Sequence, residues 1–355
     1  MHKYGIIMAG GGGTRFWPLS RQRTPKQLLN LTGKDLMINE TIDRVSTILD
    51  KKDIFIVTNA NQETLMRNKV DPAILPDHIL IEPSARNTAA CIGYAAFEII
   101  RKYGDGIMCI FPADHYIKNV STFTDIFNKA IEIANREDCL LTIGIEPTFP
   151  STGYGYIKYD KSSADYAKQV IEFVEKPNYE LANSYVNSGN YSWNSGMFIW
   201  KASAILENFK RYLPKVYHFL EIIGNSMNTP AERETILDIY PQIPSISIDY
   251  GIMERSDNVK VIPGDLGWND VGSWDNLNSL YSPDQNGNII KGQQITIDTN
   301  NCILFSKKRL IATIGIENLI VVETDDAVLV CDRNRAQDIK RITDELKNKN
   351  LEEYL

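Results

Sequence analysis

The chain has 355 residues, which is enough for a full hydrophobic core and for about two domains. Its hydrophobic content of 43% and charged content of 23% are close to average usage, which excludes a disordered, fibrous or disulfide-scaffold protein. The net charge of −7 argues against nucleic acid as a partner, because phosphate backbones are bound by clustered cationic side chains.

The cysteines and the N-terminus indicate the compartment. The five cysteines are widely spaced and form no CxxC pair, so reduced thiols are expected. The first apolar run, residues 4–9, is too short for a signal peptide, and no apolar run is long enough to span a membrane. We therefore expect a cytoplasmic protein that makes no membrane contact.

Apolar runs bounded by Gly, Pro, Asn or Asp alternate with helical spacing in the first part of the chain. The runs predict buried strands at residues 5–9, 54–59, 79–82, 107–111 and 140–145. Asn39 and Asn87 are placed as N-caps of two of the intervening helices. This alternation predicts an α/β fold with a Rossmann-like, mainly parallel sheet, whose ligands bind at the carboxyl ends of the strands.

The pattern changes near Asn286, where short strands follow one another between polar turns. We expect a first domain over residues 1–285 and a small C-terminal β-domain over residues 286–355, for which a left-handed β-helix is one candidate form. Helical spacing in the last segment predicts one amphipathic helix over residues 334–350.

A glycine-rich stretch follows the first predicted strand, with the sequence AGGGGTRFWPLSRQRTPKQ over residues 9–27. Glycines let backbone N–H groups approach a polyphosphate without obstruction by a Cβ atom. Pro18 and Pro25 interrupt any helix after the glycines, which disfavours a dinucleotide-binding loop. The glycines are followed by Thr14 and Arg15 rather than by Gly-Lys-Ser/Thr, which excludes a Walker A loop.

This stretch resembles the signature of the sugar-nucleotide pyrophosphorylases, and in particular of their mannose 1-phosphate guanylyltransferase branch. The resemblance extends to EPSARNTAA from Glu82, FPADH from Phe111, FVEKP from Phe173, WNSGMFIW from Trp193, SIDYGIME from Ser247 and GWNDVGSW from Gly267. It implies that residues 1–285 are a nucleotidyltransferase catalytic domain. The sequence departs from the family pattern at Gly12, Ala90 and Asn269, and none of these changes removes a charge.

The family assigns roles to the matching positions. The resemblance implies that the loop wraps a triphosphate and that Arg15 and Lys26 neutralise it. It also implies that Asp114 and Asp270 share one Mg²⁺, with Mn²⁺ as the alternative metal. One or two carboxylates are sufficient protein ligands for Mg²⁺ when substrate phosphates and water supply the others. The GTP site is expected to comprise Gly10, Gly11, Gly12, Gly13, Thr14, Glu82, Asn87 and Thr88.

The remaining matches imply a sugar site. By resemblance, mannose 1-phosphate is bound by Tyr154, Gly155, Glu175, Lys176 and Asn194. A carboxylate can accept both N–H groups of guanine, so Glu82 is a chemically suitable reader of that base. Asn87 and Thr88 equally fit the capping of a helix. The segment from Ser247 matches the branch without a role that its residues define.

The resemblance implies transfer of GMP from GTP to mannose 1-phosphate, and the family commonly forms homodimers. Two alternatives stay open from the residues alone. Another sugar 1-phosphate or base is one, for example a heptose 1-phosphate guanylyltransferase. A catalytically silent regulatory homologue is the other, and the intact Arg15, Lys26, Asp114, Lys176 and Asp270 argue against it.

Overall fold

The computed structural model describes residues 1–355 and is built on a nine-stranded mixed sheet. Numbered in chain order, the strands of the first part are β1 His2–Met8, β2 Ile54–Asn59, β3 Ile79–Glu82, β4 Gly106–Pro112, β5 Tyr116–Ile117, β6 Leu140–Ile145, β7 Tyr156–Tyr159, β8 Lys168–Val174, β9 Tyr191–Lys201, β10 Val259–Pro263 and β11 Trp268–Asn269. The helices are α1 Met37–Val45, α2 Glu63–Lys69, α3 Asn87–Tyr103, α4 Val120–Arg136, α5 Tyr179–Ser188, α6 Ala202–Tyr212, α7 Pro214–Ser226, α8 Glu232–Ile239 and α9 Ile339–Asn348.

The strand order of the large sheet is β3-β2-β1-β4-β9-β6-β10-β8-β7. The strands β3, β2, β1 and β4 are parallel, and β6 pairs with β10 in parallel. Strand β9 runs antiparallel between β4 and β6. The predicted α/β fold is confirmed, with its parallel character concentrated in the N-terminal half of the sheet. Because β9 is antiparallel, its beginning lies at the same edge as the carboxyl ends of its neighbours.

Apolar side chains cover both faces of this sheet. One buried cluster contains α3, α6 and α7 on one face, and a second contains α1 and α4 on the other. The strands carry fully buried residues on consecutive positions, as in β2, because both of their faces are packed. None of the helices combines the length and the apolar character needed to cross a bilayer.

The C-terminal region is a stack of six short strands, most of them parallel. These are β12 Ile289–Lys291, β13 Gln294–Ile297, β14 Ile303–Ser306, β15 Ile311–Ile314, β16 Leu319–Glu323 and β17 Val328–Asp332. Strands β12, β14 and β16 form one parallel row and β13 and β15 a second, so the chain coils between two rows; β17 closes the first row antiparallel. The predicted C-terminal β-domain is confirmed.

A third hydrophobic core joins this β-domain to the beginning of the chain. Phe16 and Trp17 of the glycine-rich stretch pack with Trp274 and with Ile303 and Ile320 of the β-domain. The indole Nε1 of Trp274 also donates to the carbonyl oxygen of Trp17 at 3.2 Å. The β-domain thus supports the loop that follows β1.

Two predicted helix starts differ from the structure. Helix α1 begins at Met37 rather than after Asn39, because the Asn39 amide binds the carbonyl of Lys69 and the N–H of Asp71 instead of capping. The terminal α-helix begins at Ile339 because Arg333–Asp338 forms a 3-10 segment with non-helical dihedral angles at Arg335.

Candidate active site

A cavity of about 670 Å³ lies at the carboxyl ends of β1, β3 and β4. The predicted site residues that line it are Gly10, Gly11, Gly12, Glu82, Asn87, Thr88, Asp114, Tyr154, Gly155, Glu175, Asn194 and Asp270. Gly13, Thr14, Arg15, Lys26 and Lys176 lie outside this lining. The fold therefore brings motifs that are far apart in the sequence to a single cavity.

The glycine loop, residues 10–27, is folded back onto itself at Gly13. This residue has a φ of 55°, and a Cβ atom there would collide with the backbone and Cβ of Lys26. Gln27 is buried, and its amide donates to the carbonyl oxygens of Ala9 at 2.6 Å and Gly11 at 3.0 Å. The same amide donates to Gln62 Oε1 at 3.1 Å. Gln27 organises the loop, a role that sequence reasoning missed since these contacts form only after folding.

Lys26 connects the two predicted metal-binding motifs. Its ammonium group donates to Asp114 Oδ2 at 2.9 Å and to the carbonyl oxygen of Asp270 at 2.6 Å. Its side chain is only 5% exposed, so this positive charge is largely shielded from water. Burial raises the pKa of Asp114, but the charge of Lys26 and its hydrogen bond act in the opposite direction, and the pKa of Asp114 lies below its usual value. Asp114 is therefore ionised at neutral pH.

Arg15 lies at the edge of the site. Its guanidinium donates to the carbonyl oxygen of Gly272 at 3.4 Å, two residues beyond Asp270. Arg15 is exposed, in contrast to the shielded Lys26. The two predicted cations thus occupy different environments, one beneath the cavity and one at its rim.

The carboxylates of Asp114 and Asp270 fit a divalent metal. Asp270 Oδ1 accepts from the hydroxyl of Tyr154 at 2.8 Å and from the N–H of Gly272 at 3.1 Å. No protein group donates to Oδ2 of Asp270 or to Oδ1 of Asp114, so each retains a free hard oxygen. No three His, Cys, Asp or Glu side chains form a cage here. This donor set suits Mg²⁺ that takes its other ligands from phosphate and water.

His115 is a neutral neighbour of this pair. Burial lowers its pKa to about 4, which exceeds the opposing effect of the Asp114 charge. Its Nδ1 accepts a hydrogen bond from the indole Nε1 of Trp268 at 3.1 Å. This contact ties the turn after β4 to the segment that leads to Asp270.

Glu82 lies at the other end of the cavity, at the end of β3. It is 4% exposed, and burial raises its pKa to about 7 although Tyr240 donates a hydrogen bond to its Oε1. A Cβ atom at Gly10 would lie 2.7 Å from Glu82 Oε2. Gly10 is therefore needed for the glycine loop to pass this carboxylate.

Asn87 and Thr88 begin α3, and the prediction that they cap it is wrong. Asn87 Oδ1 accepts from the adjacent N–H of Thr88 at 2.8 Å, and the residue has a φ of 65°. Thr88 Oγ1 accepts from the N–H of Ile248 at 2.9 Å, and the residue before the helix is Arg86. The Thr88 hydroxyl oxygen, which could have capped the helix, instead accepts from the distant N–H of Ile248.

The predicted sugar residues lie together opposite Glu82. The N–H of Asn194 donates to the carbonyl oxygen of Gly155 at 2.8 Å, and a Cβ atom at Gly155 would collide with Glu175 Oε2. The ammonium of Lys176 pairs with Glu175 Oε1 at 2.6 Å, and the Lys176 side chain is half-exposed. The backbone of Lys176 has a φ of 50°. The absence of a side chain at Gly155 thus allows the loop, Asn194 and Glu175 to meet.

Comparison with known proteins decides the family. The model of the nucleotidyl transferase family matches residues 4–286 of this chain. The chain belongs to the nucleotidyl transferase family. A second model, described as the MannoseP isomerase/GMP-like beta-helix domain, matches residues 292–346. It agrees with the coiled parallel strands of the C-terminal region.

Relatives within the nucleotidyl transferase family support the predicted branch. A mannose-1-phosphate guanylyltransferase of Klebsiella pneumoniae is 38% identical, over 98% of this chain and 75% of that protein. The xanthan biosynthesis protein XanB of Xanthomonas campestris pv. campestris strain B100 is 39% identical, over 97% and 73%. A structure from Thermus thermophilus, described as a mannose-1-phosphate geranyltransferase, has a TM-score of 0.88 at 30% identity and covers 98% of this chain and 100% of that one. The predicted resemblance to the mannose 1-phosphate guanylyltransferase branch is confirmed.

Proposed function

We propose that this nucleotidyltransferase transfers GMP from GTP to α-D-mannose 1-phosphate, with release of pyrophosphate and formation of GDP-mannose. The observation that carries the proposal is the order of groups along one cavity. In the strand order of the sheet, Glu82 ends β3 at one edge, Asp114 follows β4 further in, and Asn194 lies on the adjacent β9. Lys26 contacts Asp114 and the carbonyl oxygen of Asp270, and Glu175 meets Asn194 beside Gly155. This order matches a nucleobase, a polyphosphate with its metal, and a sugar.

Asp114 and Asp270 would hold the Mg²⁺ ion, with Mn²⁺ as the alternative, through their free carboxylate oxygens. When bound, the ion would offset the negative charge of the phosphates that meet at the reaction centre. Lys26 contributes a fixed positive charge beside Asp114. The N–H groups of Gly10, Gly11, Gly12, Gly13 and Thr14 are available to a triphosphate in the loop.

The reaction is an in-line attack of a sugar-phosphate oxygen on the α-phosphorus of GTP. The bond from this phosphorus to the β-phosphate oxygen breaks, and pyrophosphate leaves with both electrons of that bond. The attacking oxygen is already ionised at neutral pH, so positioning and charge neutralisation supply the catalysis. The low pKa of His115 agrees with a mechanism that needs no histidine base.

Guanine would be read by Glu82. An ionised carboxylate accepts from both N1–H and the N2 amino group of guanine, whereas adenine presents an acceptor at N1. Asn87 and Thr88 stand beside this end of the cavity at the start of α3. At the sugar end, Tyr154, Gly155, Glu175, Lys176 and Asn194 would bind the mannose 1-phosphate.

The test is pyrophosphate release with Mg²⁺, with GTP, ATP, UTP and dTTP each combined with mannose, glucose and heptose 1-phosphates. We expect release with GTP and mannose 1-phosphate. Turnover with a different pair would replace the substrates and retain the reaction, and a heptose 1-phosphate would favour a heptose 1-phosphate guanylyltransferase. Absence of turnover in every combination would favour a regulatory homologue.

The metal assignment is tested by Asp114→Asn and Asp270→Asn. Each removes a hard anionic ligand, and we expect turnover to fall by at least about 100-fold at millimolar Mg²⁺. Asp43→Asn serves as the control, because Asp43 is exposed on α1 and pairs only with Lys51. Full activity in either site variant would contradict the shared-metal assignment.

A cytoplasmic homodimer completes the proposal. Five free thiols agree with a reducing compartment. Ile295, Ile297 and Ile314 are about half exposed or more on β13 and β15, which gives the β-domain an apolar outer face suited to a second copy. Sedimentation equilibrium would give the mass in solution, and a monomer at micromolar concentration would contradict the dimer.

A further inference from the structure

The segment from Ser247 to Glu254, which the sequence left without a role, borders the sugar end of the cavity. Ile248 and Asp249 line the cavity. Residues Asp249–Met253 form a π-helical turn, in which the N–H of Glu254 donates to the carbonyl oxygen of Asp249 at 3.0 Å. Such turns are rare in proteins, and those that occur often lie at functional sites.

This π-helical turn also holds the main chain of Glu175. Glu254 Oε1 accepts from the N–H of Glu175 at 2.8 Å, and the hydroxyl of Tyr250 donates to the carbonyl oxygen of Glu175 at 3.4 Å. The backbone of Glu175 is therefore fixed on both sides by the turn that begins with Asp249. The next residue, Lys176, has a φ of 50°, a strained value that these contacts stabilise.

The two carboxylates have unused acceptor capacity. Glu175 has a side chain that is 7% exposed, and its Oε2 is buried without any hydrogen-bond partner. Asp249 Oδ1 accepts from the amide of Asn194 at 2.8 Å, and no protein group donates to its Oδ2. A buried acceptor without a donor is costly, so a bound molecule that supplies hydroxyl donors would be favoured here.

The charges distinguish one ligand group from another. Two carboxylates would repel a phosphate, whereas neutral hydroxyls donate to them favourably. Lys26 pairs with Asp114, and Lys176 pairs with Glu175 Oε1 at 2.6 Å, which leaves Glu175 Oε2 and Asp249 Oδ2 without a cation or a donor. The two acceptors that remain free, Glu175 Oε2 and Asp249 Oδ2, therefore favour the hydroxyls of a sugar ring over a phosphate.

We propose that Asp249 accepts a hydrogen bond from a hydroxyl of the sugar 1-phosphate and, together with Glu175, determines which sugar is used. This inference rests on the proposed function and deepens it, because it adds a specificity-determining residue to the sugar site. The π-helical turn positions both carboxylates, since it contains Asp249 and binds the backbone of Glu175.

The experiment compares wild type with Asp249→Asn on mannose 1-phosphate and on its analogues that lack the hydroxyl at carbon 2, 3, 4 or 6. We expect kcat/KM for mannose 1-phosphate to fall about 10- to 100-fold, the range for a lost hydrogen bond to a charged group. KM for GTP should change by less than about 2-fold. With the analogue that lacks the hydroxyl bound by Asp249, the kcat/KM values of wild type and variant should differ by less than about 3-fold.

Controls separate a direct contact from a structural effect. Asp257→Asn makes the same change at an exposed position that pairs with Arg211 outside the cavity, and it should match wild type. Asp249→Ser is assayed in parallel in case the asparagine variant does not fold. An equal loss with all analogues, a matching loss for GTP, or no loss would overturn the assignment. If the wild type forms GDP-mannose but Asp249→Asn does not show the expected pattern of losses, the inference about Asp249 alone is wrong. A wild type that forms no GDP-mannose overturns the proposed function together with this inference.

Discussion

The carboxylates of the cavity differ in charge state because their surroundings differ. The pKa of Asp114 is lowered because the charge and the hydrogen bond of Lys26 oppose the effect of burial. Glu82 and Asp249 have pKa values raised to about 7, mainly by burial, and no cation contacts either carboxylate. One cavity therefore contains an acid with a lowered pKa, Asp114, and two acids whose pKa values lie near 7.

The raised pKa of Glu82 predicts a pH-dependent loss of stability. Its pKa rises from 4.5 in the unfolded chain to about 7 in the folded one, so the folded protein binds the proton more tightly. The stabilising contribution is present below pH 4.5 and is lost as the pH rises to about 7. Its full size is about 3 kcal/mol.

Glu82→Gln removes this titration. We expect its free energy of unfolding, relative to wild type, to increase by about 1–3 kcal/mol between pH 5 and pH 8. Urea unfolding at several pH values measures this difference. Glu63→Gln on the exposed face of α2 is the control and should show no such trend. A difference independent of pH would contradict the raised pKa.

Tyr154 is predicted to position Asp270. Its hydroxyl donates to Asp270 Oδ1 at 2.8 Å, and a hydrogen bond of this type orients a metal ligand. Tyr154→Phe should raise the Mg²⁺ concentration for half-maximal turnover about 10-fold while the fold is retained. Tyr156→Phe is the matched control, because its hydroxyl binds the carbonyl of Ser151 outside the metal site. An unchanged Mg²⁺ requirement for Tyr154→Phe would show that Asp270 is oriented without it.

At the scale of elements, α3, α6 and α7 pack closely together on the face of the sheet that α1 does not cover. Gly93 of α3 lies against Leu220 of α7 and Phe209 of α6, and a Cβ atom would collide with Leu220. A glycine inside a helix costs about 1 kcal/mol relative to alanine. Its presence at residue 93 therefore indicates that the space between the helices is too small for a side chain.

Gly93→Ala should lower the free energy of unfolding by about 1–3 kcal/mol despite its better helix propensity. Thermal and urea unfolding measure the change. In the background of Leu220→Ala, which vacates the space, the same substitution should become neutral or stabilising. An equal loss in both backgrounds would show that the collision is relieved in another way.

Elements that depend on local pattern could be predicted from the sequence, and contacts between distant segments could not. The strands predicted at residues 54–59, 79–82 and 140–145 match the structure residue for residue. A short apolar run between turn-forming residues is enough to indicate a buried strand and both of its ends. The charged positions proposed for the site come from motifs that resemble the family's, and the structure places Asp114, Glu175 and Asp270 in the lining of one cavity. The contacts of Asn39 and Thr88 with distant main chain could not be found, because a hydroxyl or amide can choose between a local cap and a tertiary partner.

The same limit explains the missed residues of the site. Gln27 binds main-chain oxygens, His115 binds Trp268, and Asp249 binds Asn194, and each pair is defined only after folding. The π-helical turn at Asp249 has no sequence pattern that distinguishes it from an ordinary helical turn. The motifs therefore predicted many of the residues that line the cavity, but they did not predict how the side chains are oriented.

At the scale of the whole molecule, the glycine loop is held by the C-terminal region. The indole of Trp17 donates to the carbonyl oxygen of Tyr354 at 2.8 Å, and Arg21 pairs with Asp326 at 2.6 Å. Phe16 is fully buried in the third hydrophobic core. The order of the loop is thus a property of both regions together.

Phe16→Ala should destabilise the protein by about 3–5 kcal/mol and should raise amide hydrogen exchange in both the glycine loop and the β-domain. Phe127→Ala is the control, since Phe127 is equally buried but lies on α4, in a different hydrophobic core that packs on the large sheet. It should lower stability by a similar amount without a selective rise in exchange in the β-domain. Unchanged exchange in the β-domain of Phe16→Ala would show that the two regions are uncoupled.

The third hydrophobic core has a consequence for synthesis of the chain. Every residue that lines the cavity precedes Val271, yet the apolar partners of Phe16 include Ile289, Ile303, Ile320 and Ile339. A nascent chain would therefore carry the complete set of cavity side chains long before the glycine loop has its supporting core. Activity would be acquired late in translation, because contacts between distant segments form only after both segments exist.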